Sequence, residues 1–203
     1  EEIDGLSPGL GNVGVYLPYS AFHHILFHHL SCDGIVMTSA NPPADPMIIE
    51  DGEVFKLGAD FYLLHNRKIV NRIDDSVLRM HGGRRFFLRR ARGFSPFHLN
   101  VSYGSRILSV GAEENVTISI SKDGKLYTSQ HIGNTRSYDT LSFMRSTIER
   151  MRKWLGIENP DAVVADCHPR YATRSVAREY GDMMEIQHHW AHAASLLLDC
   201  NVE

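Results

Sequence analysis

Three histidines stand within five residues in Gln187-His188-His189-Trp190-Ala191-His192, after an apolar stretch and at the start of a predicted helix. His188 and His192 are four positions apart, so on a helix both imidazoles project from one face, one turn from each other. Two ring nitrogens placed that way can grip one ion, and imidazole suits Zn, Fe and several other divalent metals. Position 189 holds His rather than Glu. The pattern is therefore not the H-E-x-x-H of metalloproteases, in which the Glu supplies a base. A histidine-rich helix start satisfied by ordinary hydrogen bonds has the same spacing, and spacing alone leaves both readings open.

Two further polar constellations precede it. In Met37-Thr38-Ser39-Ala40-Asn41-Pro42, Ser39 and Asn41 offer a hydroxyl and an amide just past the apolar Gly34–Met37, which reads as a strand. They can hold phosphate or carboxylate oxygens, or simply close a Ser/Asn/Pro turn by local hydrogen bonds. The second runs from Asn71 to Gly93 and contains Arg72, Asp74, Asp75, Ser76, Arg79 and then Arg84-Arg85-Phe86-Phe87-Leu88-Arg89-Arg90-Ala91-Arg92. Guanidinium forks match phosphate and carboxylate in two-point contacts. Such a cluster suits one nucleotide site. Pairing of the arginines with Asp74 and Asp75 is the structural alternative.

The elements that must position these groups are most regular after about Asn100, where Phe94-Ser95-Pro96-Phe97 and Ser102-Tyr103-Gly104-Ser105 mark a join. Ile107–Val110 reads as a strand. Val116–Ile120 and Lys125–Gln130 alternate around Asp123-Gly124, a strong hairpin signal. Tyr138–Leu155 carries Leu141, Met144, Ile148, Met151 and Leu155 at helical spacing, which predicts a core-facing amphipathic helix. Ala162–Ala165 reads as a strand, Tyr171–Tyr180 as a helix, Met183–Gln187 as a strand and His188–Cys200 as a helix. The order β-β-β-α-β-α-β-α implies a sheet with parallel strands and helical cover. Ligands collect beyond the carboxyl ends of such strands. Asp166, His168, His188 and His192 are thereby expected near one mouth. Asp166 and His168 also suit a helix start and a turn before Pro169.

Composition bounds the function. The chain has 203 residues, 43% hydrophobic and 22% charged, with a formal net charge of −3. These are ordinary globular proportions. The net acidity argues against a general nucleic-acid or membrane surface. No apolar run approaches membrane-spanning length and no signal segment is evident. Cys32, Cys167 and Cys200 form no C-x-x-C pair. They indicate neither a disulfide framework nor a thiolate zinc site, and each is expected to be a small buried hydrophobe in a reducing cytoplasm. The chain opens on Glu1-Glu2 without Met and stops at Asn201-Val202-Glu203 directly after the histidine helix. It is expected to be part of a longer protein.

Together the motifs resemble a known family. Leu17-Pro18-Tyr19, His23-His24, Met37–Asn41, His65-Asn66-Arg67, Asp74–Val77 and Arg89–Gly93 resemble the YrdC-like part of HypF-type carbamoyltransferases. Gly111-Ala112-Glu113, Ser129–Gly133, Asp166–Pro169 and Gln187–His192 resemble the start of the transferase domain that follows it. The resemblance covers nearly the whole chain and keeps the order. It implies an α/β fold: the C-terminal part of a YrdC-like domain over 1–100, then the first half of an actin/sugar-kinase-like (ribonuclease H-like) domain over 101–203.

Such proteins mature [NiFe] hydrogenases. The resemblance implies ATP (with Mg) and carbamoyl phosphate as substrates, a carbamoyl-adenylate intermediate, and a cytoplasmic HypE-like partner whose C-terminal Cys accepts the carbamoyl group. It implies that Ser39 and Asn41 are the S-x-N nucleotide motif. Ser76, Arg89, Arg90 and Arg92 become further nucleotide or carbamoyl contacts, and His188 with His192 holds a divalent metal, Zn or Fe. No protein nucleophile is singled out. Two stretches depart from the family pattern, at Glu114 and Asn115 and at Asn134. Glu114-Asn115-Val116 stands where a Lys-Asn pair usually follows Gly-Ala-Glu, and Asn134 stands where Asp usually follows Gly133. Threonylcarbamoyl synthesis or transfer for tRNA modification uses both domain types and is the alternative enzyme. A non-catalytic RNA-binding module built on the arginine-rich strand is the third possibility.

Overall fold

The computed structural model describes residues 5–43 and 45–200. Glu1-Glu2 and Asn201-Val202-Glu203, the ends singled out in the sequence, lie outside the described residues. The chain divides into two compact units, the first ending at Thr38 and the second starting at Ser39. No helix among the described residues is long and apolar enough to cross a membrane.

The first unit contains helix α1 (Ala21–His29). Ser20 caps it: its Oγ accepts from the His23 N–H at 3.2 Å, satisfying one of the donors a helix start leaves free. None of its described residues is buried. The expected strand at Gly34–Met37 does not form. A strand needs a neighbour for its backbone groups, and the described residues of this unit supply none.

The second unit opens with a 3-10 helix (Asp51–Leu57) and the hairpin β1 (Val77–His81) and β2 (Arg84–Arg89). Gly82 and Gly83 both take positive φ in its turn, at 55° and 75°. The rest is a six-stranded sheet made of β3 (Phe97–Asn100), β4 (Ile107–Ser109), β5 (Ser119–Lys122), β6 (Lys125–Thr128), β7 (Ala162–Asp166) and β8 (Met183–Ile186). Its order is β3-β6-β5-β4-β7-β8. The β3-β6-β5-β4 portion is antiparallel, while β4, β7 and β8 run parallel. Helices α2 (Tyr138–Leu155), α3 (Thr173–Arg178) and α4 (His188–Cys200) follow the strands in the expected alternation.

Asp123 at φ 51° and Gly124 at φ 76° close the β5–β6 hairpin with the left-handed pair that a two-residue turn requires. The first of these strands starts later than its apolar pattern suggests. Val116 forms only an isolated bridge to Gly133, because Asn115 turns the chain at φ 51°. On α2, Phe143, Met144, Ile148, Met151 and Leu155 are buried and Leu141 packs at the margin. They meet Leu108, Val110, Ile118, Ile120, Val163, Val176 and Ala177. Among the described residues every buried apolar side chain except Ala91 lies between Leu108 and Ile157 or on β7 and α3. The core therefore sits directly beneath the strand ends that carry the polar groups.

The cysteine expectation needs correcting: Cys32, Cys167 and Cys200 are all free thiols and all exposed. Cys32 lies in the unit none of whose described residues is buried, Cys167 lies just past the end of β7, and Cys200 ends a helix with no buried residue among those described.

Candidate functional site

The parallel pairing of β7 with β8 sets the geometry. Asp166, at the end of β7, is level with Ile186, two residues before His188. Asp166 is buried, and its Oδ1 accepts from the His168 N–H at 2.8 Å. Its Oδ2 lies 2.5 Å from His188 Nδ1. With Nδ1 engaged by a carboxylate, the proton is held on that side and Nε2 is left with its lone pair facing outward. Nε2 of His188 lies 3.1 Å from Nε2 of His192, the ring centroids being 4.7 Å apart at 80°. Two nitrogens bound tetrahedrally to one zinc-sized ion sit about 3.3 Å apart, given bonds near 2.0–2.1 Å. The separation is close to that value, and it is also the length of a direct hydrogen bond between the two rings, which an ion would replace. Among the described residues no group of three or more His, Cys, Asp or Glu side chains is arranged to hold a metal.

This pair opens on a cavity of about 390 Å³, lined also by Ser109, Gly111, Ala112, Glu114, Asn115 and Asp166. Gly111 has φ 74°, and a Cβ there would meet the Thr117 carbonyl oxygen at 3.1 Å. Only glycine makes that turn without strain. Thr173 Oγ1 donates to the Ala112 carbonyl at 2.6 Å, fixing the turn to α3. Arg174, also buried, donates to the Asp166 carbonyl at 2.6 Å and to Glu185 Oε1 at 2.5 Å. It braces both strands under the histidines.

A second cavity, of about 270 Å³, gathers residues from both sides of β3. Ser39, Asn41, Arg72, Asp74 and Arg89 line it, together with His131, Asn134, Asn115 and Phe143. Ser39 Oγ donates to Asn41 Oδ1 at 2.5 Å, and Asn41 Nδ2 donates to the Pro42 carbonyl at 2.9 Å. The S-x-N segment is thus a self-bonded turn at the cavity wall. Arg72 lies with its guanidinium 5.1 Å from the Phe143 ring centroid. Its Nε is buried and has no hydrogen-bond partner among the described residues. Burial lowers the Arg72 pKa from its ordinary value, Asp139 opposes that shift and Arg150 adds to it. A buried cationic donor left unpaired is suited to an anion. Burial and then the Arg89 charge also push the His131 imidazole below its usual value, Asp74 opposing.

The arginine cluster divides. Arg89 faces the cavity while pairing with Asp74 at 2.8 Å and donating from Nε to the Asp75 carbonyl at 2.9 Å. Arg92 pairs with Asp75 at 3.5 Å, and Arg90 lies over the Phe97 and Phe87 rings at 3.7 and 4.5 Å. Ser76 Oγ donates to the Arg92 carbonyl at 2.9 Å and accepts from the Ala91 N–H at 2.8 Å. The cavity therefore gathers Ser39, Asn41 and Arg89. Ser76, Arg90 and Arg92 brace the hairpin from which Arg89 reaches.

The sequence placed Arg72 only within a wider arginine cluster and Asn115 only as a departure, and it marked neither these nor His131 as individual site residues. Arg72 stood among many arginines, and nothing in its spacing marked it as the half-buried one. Asp166 had a usable signal, since it ends a strand parallel to the one that leads into His188. Asn115 and Asn134, two of the three residues that depart from the resembled pattern, meet: the Asn115 N–H donates to Asn134 Oδ1 at 3.0 Å.

Comparison with known proteins agrees with this layout. Residues 3–91 match the Sua5/YciO/YrdC family model, described as telomere recombination, and residues 102–199 match that of the HypF Kae1-like domain. The probable carbamoyltransferase HypF of Methanocaldococcus jannaschii is 42% identical over 202 residues, covering 95% of this chain and 26% of that protein. The crystal structure of T. kodakarensis HypF matches with a TM-score of 0.91 at 44% identity, over 98% of this chain and 27% of that one. A full-length HypF in its phosphate- and nucleotide-bound form matches with a TM-score of 0.86 at 34% identity, over 94% of this chain and 31% of that one. The chain spans about a quarter of the length of the curated relatives it matches. With both family models in order and such identities over nearly all of its length, the chain belongs to the HypF carbamoyltransferase family and joins a YrdC-like stretch to a Kae1-like one.

Proposed function

We propose that this chain supplies the junction of two working sites in an ATP-dependent carbamoyltransferase of [NiFe] hydrogenase maturation, with a domain division at 1–100 and 101–203. In the first site, water cleaves carbamoyl phosphate to carbamate and inorganic phosphate, and a carbamate oxygen then attacks the α-phosphorus of ATP, giving a carbamoyl-adenylate as the bond to pyrophosphate breaks and pyrophosphate leaves. Ser39 and Asn41 shape its wall, while Arg72 and Arg89 supply positive charge where phosphate charge develops. Ser76, Arg90 and Arg92 hold the hairpin that presents Arg89. In the second site, the C-terminal thiolate of a HypE-like acceptor attacks the carbamoyl carbon. The C–S bond forms as the C–O bond to AMP breaks, and AMP leaves.

His188 and His192 are the residues that would hold a divalent Zn or Fe ion there, and Asp166 orients His188. Such an ion, when bound, supplies Lewis acidity toward a carbonyl or phosphate oxygen. The chain's own residues position the groups and keep the labile adenylate from bulk water.

The observation that carries the proposal is the pairing of an arginine-lined cavity beside the S-x-N turn with a cavity at the converging histidine nitrogens, in one folded unit. The test is ATP–pyrophosphate exchange in the full-length protein. Exchange that requires carbamoyl phosphate is expected. Its absence, or exchange that requires threonine and bicarbonate instead, would overturn the assignment.

A further inference from the structure

One residue, Asn115, lines both cavities. It follows Glu114, which faces the histidine cavity, and precedes Val116, which bridges to Gly133. Its backbone is left-handed at φ 51°, a conformation that Asn tolerates better than most side chains. Asn134 Oδ1 accepts its N–H at 3.0 Å and fixes the turn. Its Oδ1 stands 3.4 Å from Nε2 of His131, which lines the first cavity. His131 is anchored in turn, its N–H donating to the Arg90 carbonyl at 3.2 Å.

The charges flanking this point are unequal. Arg72 and Arg89 lie in the first cavity together with His131 and Asn134, His188 and His192 lie in the second, and Asn115 lines both. Guanidinium groups suit phosphate, so on the two-site reading the arginine side is where phosphates would be held. A carboxamide meets a carbamoyl group with complementary hydrogen bonding: its carbonyl accepts from the carbamoyl NH2, and its NH2 donates to the carbamoyl oxygen. Neither Asn115 nor a neutral imidazole traps phosphate as a guanidinium would.

We propose that Asn115, braced by Asn134 and faced by His131, is the selective threshold that passes the carbamoyl-bearing end of the intermediate from the first cavity to the second. The assignment rests on the two-site function proposed above and adds to it the residue that sets passage. Asn115 is a positioning and specificity residue, and no bond is made or broken at it.

The test uses Asn115→Asp and Asn115→Gly in the full-length protein. Both replacements tolerate positive φ, so the turn survives while the carboxamide is lost. Exchange, carbamoylation of the HypE-like acceptor and ATP consumed are measured together. Asn115→Asp places a negative charge on the path, and the ratio of transfer to exchange should fall by about ten-fold or more. Asn115→Gly opens the threshold, and ATP consumed per carbamoyl transferred should rise by about five-fold as the adenylate escapes to water. Ratios within about two-fold of the unsubstituted protein in both variants, or exchange and transfer falling in equal proportion, would overturn the proposal. Exchange absent from the unsubstituted protein would instead overturn the two-site function and this assignment with it, so the two failures are distinguishable.

Discussion

The carboxylate of Asp166 ties a strand end to the histidine pair, and its role there can be measured. Replacing it with Asn keeps the shape but weakens the hold on the His188 Nδ1 proton. Metal affinity, read by competition with a chelator, should fall about 10–100-fold; unchanged affinity would remove Asp166 from the site. Arg72 makes a parallel case in the other cavity. A hydrogen bond to a charged partner contributes about 1.5–3 kcal/mol. Arg72→Ala should therefore weaken ATP binding, followed by calorimetry in the full-length protein, by at least about ten-fold. A third residue-scale prediction concerns pH. Arg106, which donates to Asp161 from both its backbone and its side chain, lowers the Asp161 pKa from the ordinary 3.8 to about 2. Because the folded value is depressed, the stabilisation is complete above pH 3.8 and disappears as pH falls through about 2. NMR titration should find the Asp161 carboxyl near 2, and Arg106→Ala should return it toward its ordinary range.

Among the elements, the turn after β4 bears most directly on the site. Gly111→Ala forces a Cβ against the Thr117 carbonyl at 3.1 Å and at φ 74°. It should cost more than about 1 kcal/mol in urea unfolding; a neutral result would show that the turn relaxes freely. Much of this half was legible in the sequence, because its signals are local. The Leu141–Leu155 spacing on α2, the Asp123-Gly124 turn and the alternation of short strands with helices each report on neighbouring residues, and all appear in the fold. Gly34–Met37 was misleading, since apolar composition cannot say whether a partner strand will lie alongside. The cysteines were misread for a related reason: burial depends on what packs against a residue. For the arginine run, type and strand character were readable. Which guanidinium meets an acid, which stacks on Phe97 and which lines a cavity is decided by the register of β1 on β2 and by contacts with β3, and spacing does not carry that information.

Over the molecule as a whole, stability and function are distributed differently. The buried core lies under the mixed sheet, whereas α4, which carries the histidines, has no buried residue and exposes Trp190 and Leu196. The histidine pair is therefore held by Asp166 and the strand ends rather than by packing of its own helix. The arginine cavity and the histidine cavity meet at Asn115, which is the layout needed if a water-labile intermediate is made at one and used at the other. The measurement that tests this most directly compares exchange with acceptor carbamoylation after His188→Ala and His192→Ala are introduced together in the full-length protein. Two linked sites predict that carbamoyl phosphate-dependent exchange continues while thiol carbamoylation falls by about a hundred-fold or more. Loss of both reactions together, or carbamoylation that persists undiminished, would contradict it.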